Sequence, residues 1–193
     1  MRARFASPRR AVGTGRRGSG LRGDAGATAD RVAAAVLVPL IDRPDGVSVM
    51  LTQRSKQLEN HAGQVSFPGG RMEAGDATPS DAALREAEEE VGLPRDRVDL
   101  IGRLDDYLTL TGFHITPVVG LIEPAFQLRP DPEEVDEVFE VPLSFVLDPA
   151  NHQLVEWVRS DERRQHYVLA YGDRRIWGAT AGMLVNLYEV LTA

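Results

Sequence analysis

Residues 69–93 read GGRMEAGDATPSDAALREAEEEVGL, a glycine pair running into a helix with four glutamates in five positions: Glu86, Glu88, Glu89 and Glu90. The helix is clearly punctuated. Thr78 suits its N-cap, Pro79 its first turn, Asp81 completes a T-x-x-D capping box, and Gly92 followed by Pro94 ends it. At about 100° per residue, Glu86, Glu89 and Glu90 share one face and Glu88 points away. Ala83, Leu84, Ala87 and Val91 supply the apolar positions that pack. Like charges one turn apart cost an isolated helix roughly 0.2–0.5 kcal/mol per pair, and a cation bound on that face removes the penalty.

An acidic run by itself is usually a solvated helix face. Here Gly-Gly lies upstream, Arg85-Glu86 opens the run and Gly92-Leu93 closes it, a spacing that points to a ligand site. Hard divalent cations prefer carboxylate and carbonyl oxygens, and Mg²⁺ usually bridges one or two carboxylates to substrate phosphates. Glu86 and Glu90, one turn apart, suit such an ion, with Glu89 beside them. Gly69 and Gly70 permit close backbone approach, and the Gly70 carbonyl is a candidate to complete the metal shell. Arg85 is spaced to hold a carboxylate, either Asp81 at i−4 or Glu89 at i+4.

Working outward, residues 32–41 (VAAAVLVPLI) read as a buried strand, and the turn at 43–46 (RPDG) leads to a second strand at 47–55, giving a hairpin. A glycine-rich loop follows, with a short strand near 65–67. Beyond the helix, strands are expected at 98–104, 115–122 and 138–141, and near 154–158 and 166–171. A final apolar helix, 179–191, should pack against the sheet, and Trp157 and Trp177 read as core. Residues 1–30 are rich in Arg and Gly, and we expect a disordered tail there; an Arg-rich transit peptide and a polybasic contact are the alternatives. Residues 31–193 then form one domain.

Composition narrows the function classes. With 193 residues, the chain is long enough for one domain burying roughly 70% of its unfolded surface. No apolar run approaches a membrane span. Cysteine is absent, which excludes disulfides, thiolate metal sites and a cysteine nucleophile. The net charge is −7, yet seven arginines precede the first acid, Asp24, so the remainder carries −7 − 7 = −14. An acidic domain is a poor nucleic-acid binder but suits divalent cations. The expected partner is a small molecule, with neither nucleic acid nor membrane, and the expected location is the cytoplasm, or an organelle if the tail is a transit peptide.

The central stretch resembles the Nudix box, whose pattern is G-x5-E-x7-R-E-U-x-E-E-x-G-U with U bulky and apolar. Gly70, Arg85, Glu86, Glu89, Glu90, Gly92 and Leu93 match. Asp76 stands at the first glutamate position, eight residues rather than seven separate it from Arg85, and Ala87 is small; Asp76 and nearby Glu73 are alternatives for that acidic role. Just upstream, residues 50–70 (MLTQRSKQLENHAGQVSFPGG) are similar to the coenzyme A pyrophosphatase signature L-L-T-x-R-[SA]-x3-R-x3-G-x3-F-P-G-G. Met50 replaces leucine and Glu59 replaces the second arginine.

The resemblance implies an α/β fold, a mixed sheet sandwiched between helices (α/β/α). It implies Mg²⁺- or Mn²⁺-dependent hydrolysis of the pyrophosphate in coenzyme A or its thioesters, giving phosphopantetheine and adenosine 3′,5′-bisphosphate. Alternatives are another nucleoside diphosphate derivative, such as ADP-ribose or a dinucleotide, or a non-catalytic nucleotide-binding domain. Glu86, Glu90, Glu89 and Gly70 are the expected metal residues. The general base is Glu89 on the helix, or Glu133 or Glu134 in a loop, with Arg85 completing the catalytic set. Arg54, His61, Gly69, Gly70 and Phe113 are the expected substrate contacts. Three of these have competing uses: Arg54 can instead pair with a helix carboxylate, His61 can order its loop, and Phe113 can be core.

Overall fold

A computed structural model of the chain describes residues 12–13, 31–124, 126–159 and 162–193. The tail expected over residues 1–30 therefore lies outside the described residues, except for β1 (Val12–Gly13). The central strand is β2 (Val32–Arg43), which is apolar on both faces. Ala35, Leu37 and Ile41 enter one core, and Val36, Val38 and Leu40 the other. A strand covered on both sides must be apolar throughout, and this explains the unbroken run in the sequence. The turn after it leads to β3 (Gly46–Arg54), antiparallel to β2 as the hairpin reading expects.

Two short strands follow, β4 (Val65–Ser66) against β3 and β5 (Gly69–Arg71) against the first half of β2. Helix α1 (Pro79–Val91) comes next, then β6 (Val98–Arg103), β7 (Tyr107–Leu108) and β8 (Phe113–Ile122). β8 runs parallel to β2 over ten residue pairs, from Val32 with Phe113 to Ile41 with Ile122, while β6 and β7 pair with β8 antiparallel. β9 (Val135–Pro142) adds to β3 with an irregularity at Gln53 and Arg54. After the single turn α2 (Leu143–Val146), a separate antiparallel sheet forms from β10 (Gln153–Arg159), β11 (Glu162–Tyr171) and β12 (Arg174–Trp177). Helix α3 (Gly178–Thr192) closes the chain.

The mixed sheet is thus sandwiched, as expected. Ala82, Ala83, Ala87 and Val91 of α1 cover one face, and Ala181, Leu184, Leu187 and Val190 of α3 belong to the core on the other. Two expectations are corrected. Ala82 is buried in the place expected for Leu84, which is half-buried. Trp177 is 40% exposed, because it ends the last strand of the small sheet, and its ring meets His166 edge-on. The Trp157 side chain lies outside the described residues. Among the described residues no helix is long and apolar enough to cross a membrane.

Candidate active site

The ends of α1 are built as its sequence requires. The Thr78 side chain accepts the Asp81 N–H, and Gly92 takes the left-handed conformation at φ 66°. The Gly92 N–H then donates to Glu88 O, the bond of a left-handed helix stop, and the Leu93 N–H to Ala87 O. Asp81 is consequently engaged with Thr78 and does not serve Arg85. Arg85 instead grips Asp76 with both arms of its fork, Nε to Oδ1 at 3.2 Å and Nη2 to Oδ2 at 2.9 Å. It also donates to Glu86 Oε1 at 3.0 Å, Glu89 Oε2 at 2.9 Å and the Arg71 carbonyl at 3.0 Å.

Asp76, rather than Glu73, is therefore the partner of Arg85. The Glu73 backbone N–H closes the turn by donating to Asp76 Oδ2 at 2.8 Å, and the Arg85 bonds followed by this one hold the Asp76 carboxyl below the ordinary carboxylate range.

The glutamates differ in depth. Glu90 is only 2% exposed, and its Oε2 accepts the Gly69 N–H at 3.2 Å while Oε1 meets Arg54 Nη1 at 3.5 Å. Burial pushes its carboxyl up to about 8 against the pull of Arg54 and the Gly69 N–H, and the charges of Glu86 and Glu134 add to the push. Glu86 is half-buried and raised mainly by burial; Arg85 opposes the shift, and Glu89 and Glu134 add to it. Glu89 is largely exposed. Glu88 faces outward and pairs with Arg95 at 3.0 Å, as its position on the helix predicts.

The two glycines act at close range. At Gly69, with φ 155°, a Cβ would lie 2.6 Å from Val36 Cα. At Gly70 a Cβ would sit 2.5 Å from Glu86 Cδ, so the missing side chain is what leaves room for that carboxylate. The β9 approach brings in Glu134: its carbonyl accepts the Ser55 N–H at 2.8 Å, and the Asp131 N–H donates to the Glu90 carbonyl at 2.9 Å. Glu133 is exposed, with its N–H bonded to Asp131 Oδ1.

The other expected contacts separate. Arg54 takes its carboxylate-pairing role, with Nε buried and without a hydrogen-bond partner among the described residues. His61 adopts a positive φ of 58°, and its Nδ1 lies 3.0 Å from Gln64 Oε1, which is the loop-ordering use. Phe113 is half-buried, and the Arg71 guanidinium lies 5.5 Å from its ring centre. Arg71 has no signal in the sequence, because its contact with Phe113 crosses two strand pairings. Asp106 gathers His114 Nε2 and Thr116 Oγ1, each at 3.0 Å, in a cluster the sequence reading did not anticipate.

Among the described residues no three Asp, Glu or His side chains are grouped to cage an ion by themselves. A hydrated divalent cation needs only one or two carboxylates when substrate phosphates complete its shell. The donor set fits such an ion. Glu90 is a buried carboxylate opposed by one arginine at 3.5 Å, with Glu86 and Glu134 adding negative charge, and Gly70 keeps space beside Glu86.

The sequence profile of the NUDIX domain matches residues 31–173. A Citrobacter koseri protein, uncharacterized Nudix hydrolase NudL, is 41% identical over 162 residues, 84% of each chain. Its Escherichia coli namesake is 42% identical over 154 residues, 80% of each chain. The crystal structure of a C. elegans Ap4A hydrolase binary complex superposes with a TM-score of 0.50 at 16% identity, over 57% of this chain and 80% of that one, a likeness of fold alone.

Proposed function

The chain belongs to the Nudix family, and from that premise we propose that it is a metal-dependent hydrolase of the pyrophosphate linkage in coenzyme A and its thioesters. One observation carries the substrate assignment. The segment that resembles the coenzyme A pyrophosphatase signature meets the catalytic helix on a single carboxylate, since Arg54 and the Gly69 N–H both reach Glu90. Glu86 and Glu90, with Glu89 and the Gly70 carbonyl beside them, are the groups that would hold Mg²⁺ or Mn²⁺. Bound there, the ion supplies positive charge against the diphosphate and orients the attacking water.

The remaining work falls to the chain. Arg85 fixes Glu86 and Glu89 relative to the Asp76 turn, and Arg54 holds the Glu90 carboxylate in place. Water adds across the P–O–P linkage: its oxygen bonds to one phosphorus, the bridging bond breaks with its electron pair going to the other phosphate, and a proton passes to Glu134. We assign the base to Glu134 because Glu89 already spends one oxygen on Arg85, whereas the Glu134 carboxylate has no hydrogen-bond partner among the described residues. The products are phosphopantetheine and adenosine 3′,5′-bisphosphate. Glu59, exposed where the coenzyme A signature has arginine, favours a second reading in which ADP-ribose or a dinucleotide is cleaved.

The test incubates the full chain with Mg²⁺ or Mn²⁺ and a panel of coenzyme A, ADP-ribose, NADH and diadenosine polyphosphates, with products resolved by chromatography. We expect coenzyme A to have the highest kcat/KM. Preferential cleavage of ADP-ribose overturns the substrate, and inactivity of folded protein across the panel favours a binding domain.

A further inference from the structure

The geometry points to Arg71, stacked on Phe113, as the site that takes the ribose phosphomonoester of the substrate, the group that distinguishes coenzyme A from its dephosphorylated form. This inference rests on the coenzyme A reading above. Three strands build the site. Arg71 pairs with Ala34 across one edge of β2, and Phe113 pairs with Val32 across the other. The Arg71 stem crosses β2 and lays its guanidinium 5.5 Å from the Phe113 ring centre. The backbone beneath is held by the catalytic helix, since the Arg71 carbonyl accepts Arg85 Nη2 at 3.0 Å.

Charge accounting isolates this cation. Arg85 is spent on Asp76, Glu86 and Glu89, and Arg54 on Glu90. Arg71 is exposed, and among the described residues its guanidinium meets only the Phe113 ring. An aromatic ring on one face of a guanidinium restrains its plane and leaves the N–H edges free, the geometry that grips a phosphate with two parallel bonds. Successive strand residues face opposite ways. Gly70 therefore looks towards Glu86, and the neighbouring Arg71 looks away from it. Arg71 points away from the carboxylates that face the diphosphate, so its charge serves a different anion of the substrate. In coenzyme A that anion is the 3′-phosphate.

The experiment compares wild type with Arg71→Ala and Arg71→Lys, using coenzyme A and dephospho-coenzyme A as substrates. Adenosine 3′,5′-bisphosphate and AMP serve as competitive inhibitors. For Arg71→Ala, KM for coenzyme A should rise about 10- to 100-fold, the scale of one charge-assisted bond pair. The variant should leave kcat and the KM for dephospho-coenzyme A unchanged, and adenosine 3′,5′-bisphosphate should lose its advantage over AMP. Arg71→Lys should fall between, keeping the charge without the planar fork. Equal losses for both substrates, which would make Phe113 and Arg71 a platform for the base, overturn the inference, as does no loss for either. If wild type cleaves another nucleotide instead, the substrate proposal fails, while the inhibitor pair still decides the role of Arg71.

Discussion

Replacing Glu90 with glutamine should stabilise the metal-free protein while nearly abolishing turnover. The Glu90 carboxyl titrates near 8 in the folded protein against an ordinary value of 4.5. The folded state therefore holds a proton that the unfolded chain releases. With the metal removed, stability from this group is greatest below pH 4.5, falls as pH rises from 4.5 to 8, and then levels off. At roughly 1.36 kcal/mol per pH unit, the penalty is about 3 kcal/mol at pH 7. Glutamine has nearly the same shape, carries no charge and can still accept the Gly69 N–H. It removes the counter-charge that Glu90 gives Arg54, however, and the buried Arg54 Nε already has no partner among the described residues. A net gain of about 1–2 kcal/mol remains, which for a domain of this size is a rise of about 2–8 °C in Tm.

The assay is thermal unfolding in chelator at pH 8 and pH 5, beside steady-state hydrolysis in Mg²⁺. Glu90→Gln should melt several degrees above wild type at pH 8 and show little gain at pH 5. Its kcat should fall about 10²- to 10³-fold, as expected for losing several kcal/mol of charge stabilisation. A variant that melts below wild type at pH 8, or keeps full kcat, refutes the reasoning.

Gly70→Ala should cut kcat about tenfold or more, because its Cβ would press on the Glu86 carboxyl, 2.5 Å from Cδ; an unchanged kcat would show that Glu86 is not the constrained ligand. Glu134→Gln should lower kcat about 10²- to 10⁴-fold, the range of a lost general base, with the larger loss at low pH rescued as hydroxide rises; a smaller effect than that of Glu89→Gln would move the base onto the helix.

Much of this arrangement is legible in the sequence itself. The ends of α1 follow from Thr78, Pro79 and Gly92 because capping is a local affair of a few residues, and the two-faced burial of β2 follows from its unbroken apolar run. The separation of Glu88 from its neighbours follows from helical period alone. What stayed hidden depends on contacts between distant segments. Whether Arg54 meets a phosphate or Glu90 could not be decided without knowing how β3 lies against α1. β5 and β12 carry little strand signal, because Gly69-Gly70 and Arg174-Arg175 lack the apolar and β-branched residues that mark a strand. The depth of Glu90 also escaped the reading: an isolated helix suggests solvent for its acidic face, and only the packing of β5 turns that position inward.

The grip of Arg85 on Asp76 also bears on how this sequence tolerates change. The loop before α1 has one residue more between Asp76 and Arg85 than the family pattern counts, yet the carboxylate still reaches the guanidinium with both oxygens. Registration here is set by an ion pair that locks at the end of a pliable spacer, as a clasp closes on a cord of adjustable length. Insertions or deletions between the glycine pair and Thr78 are therefore a permitted form of drift, provided that one acid remains within reach of the clasp.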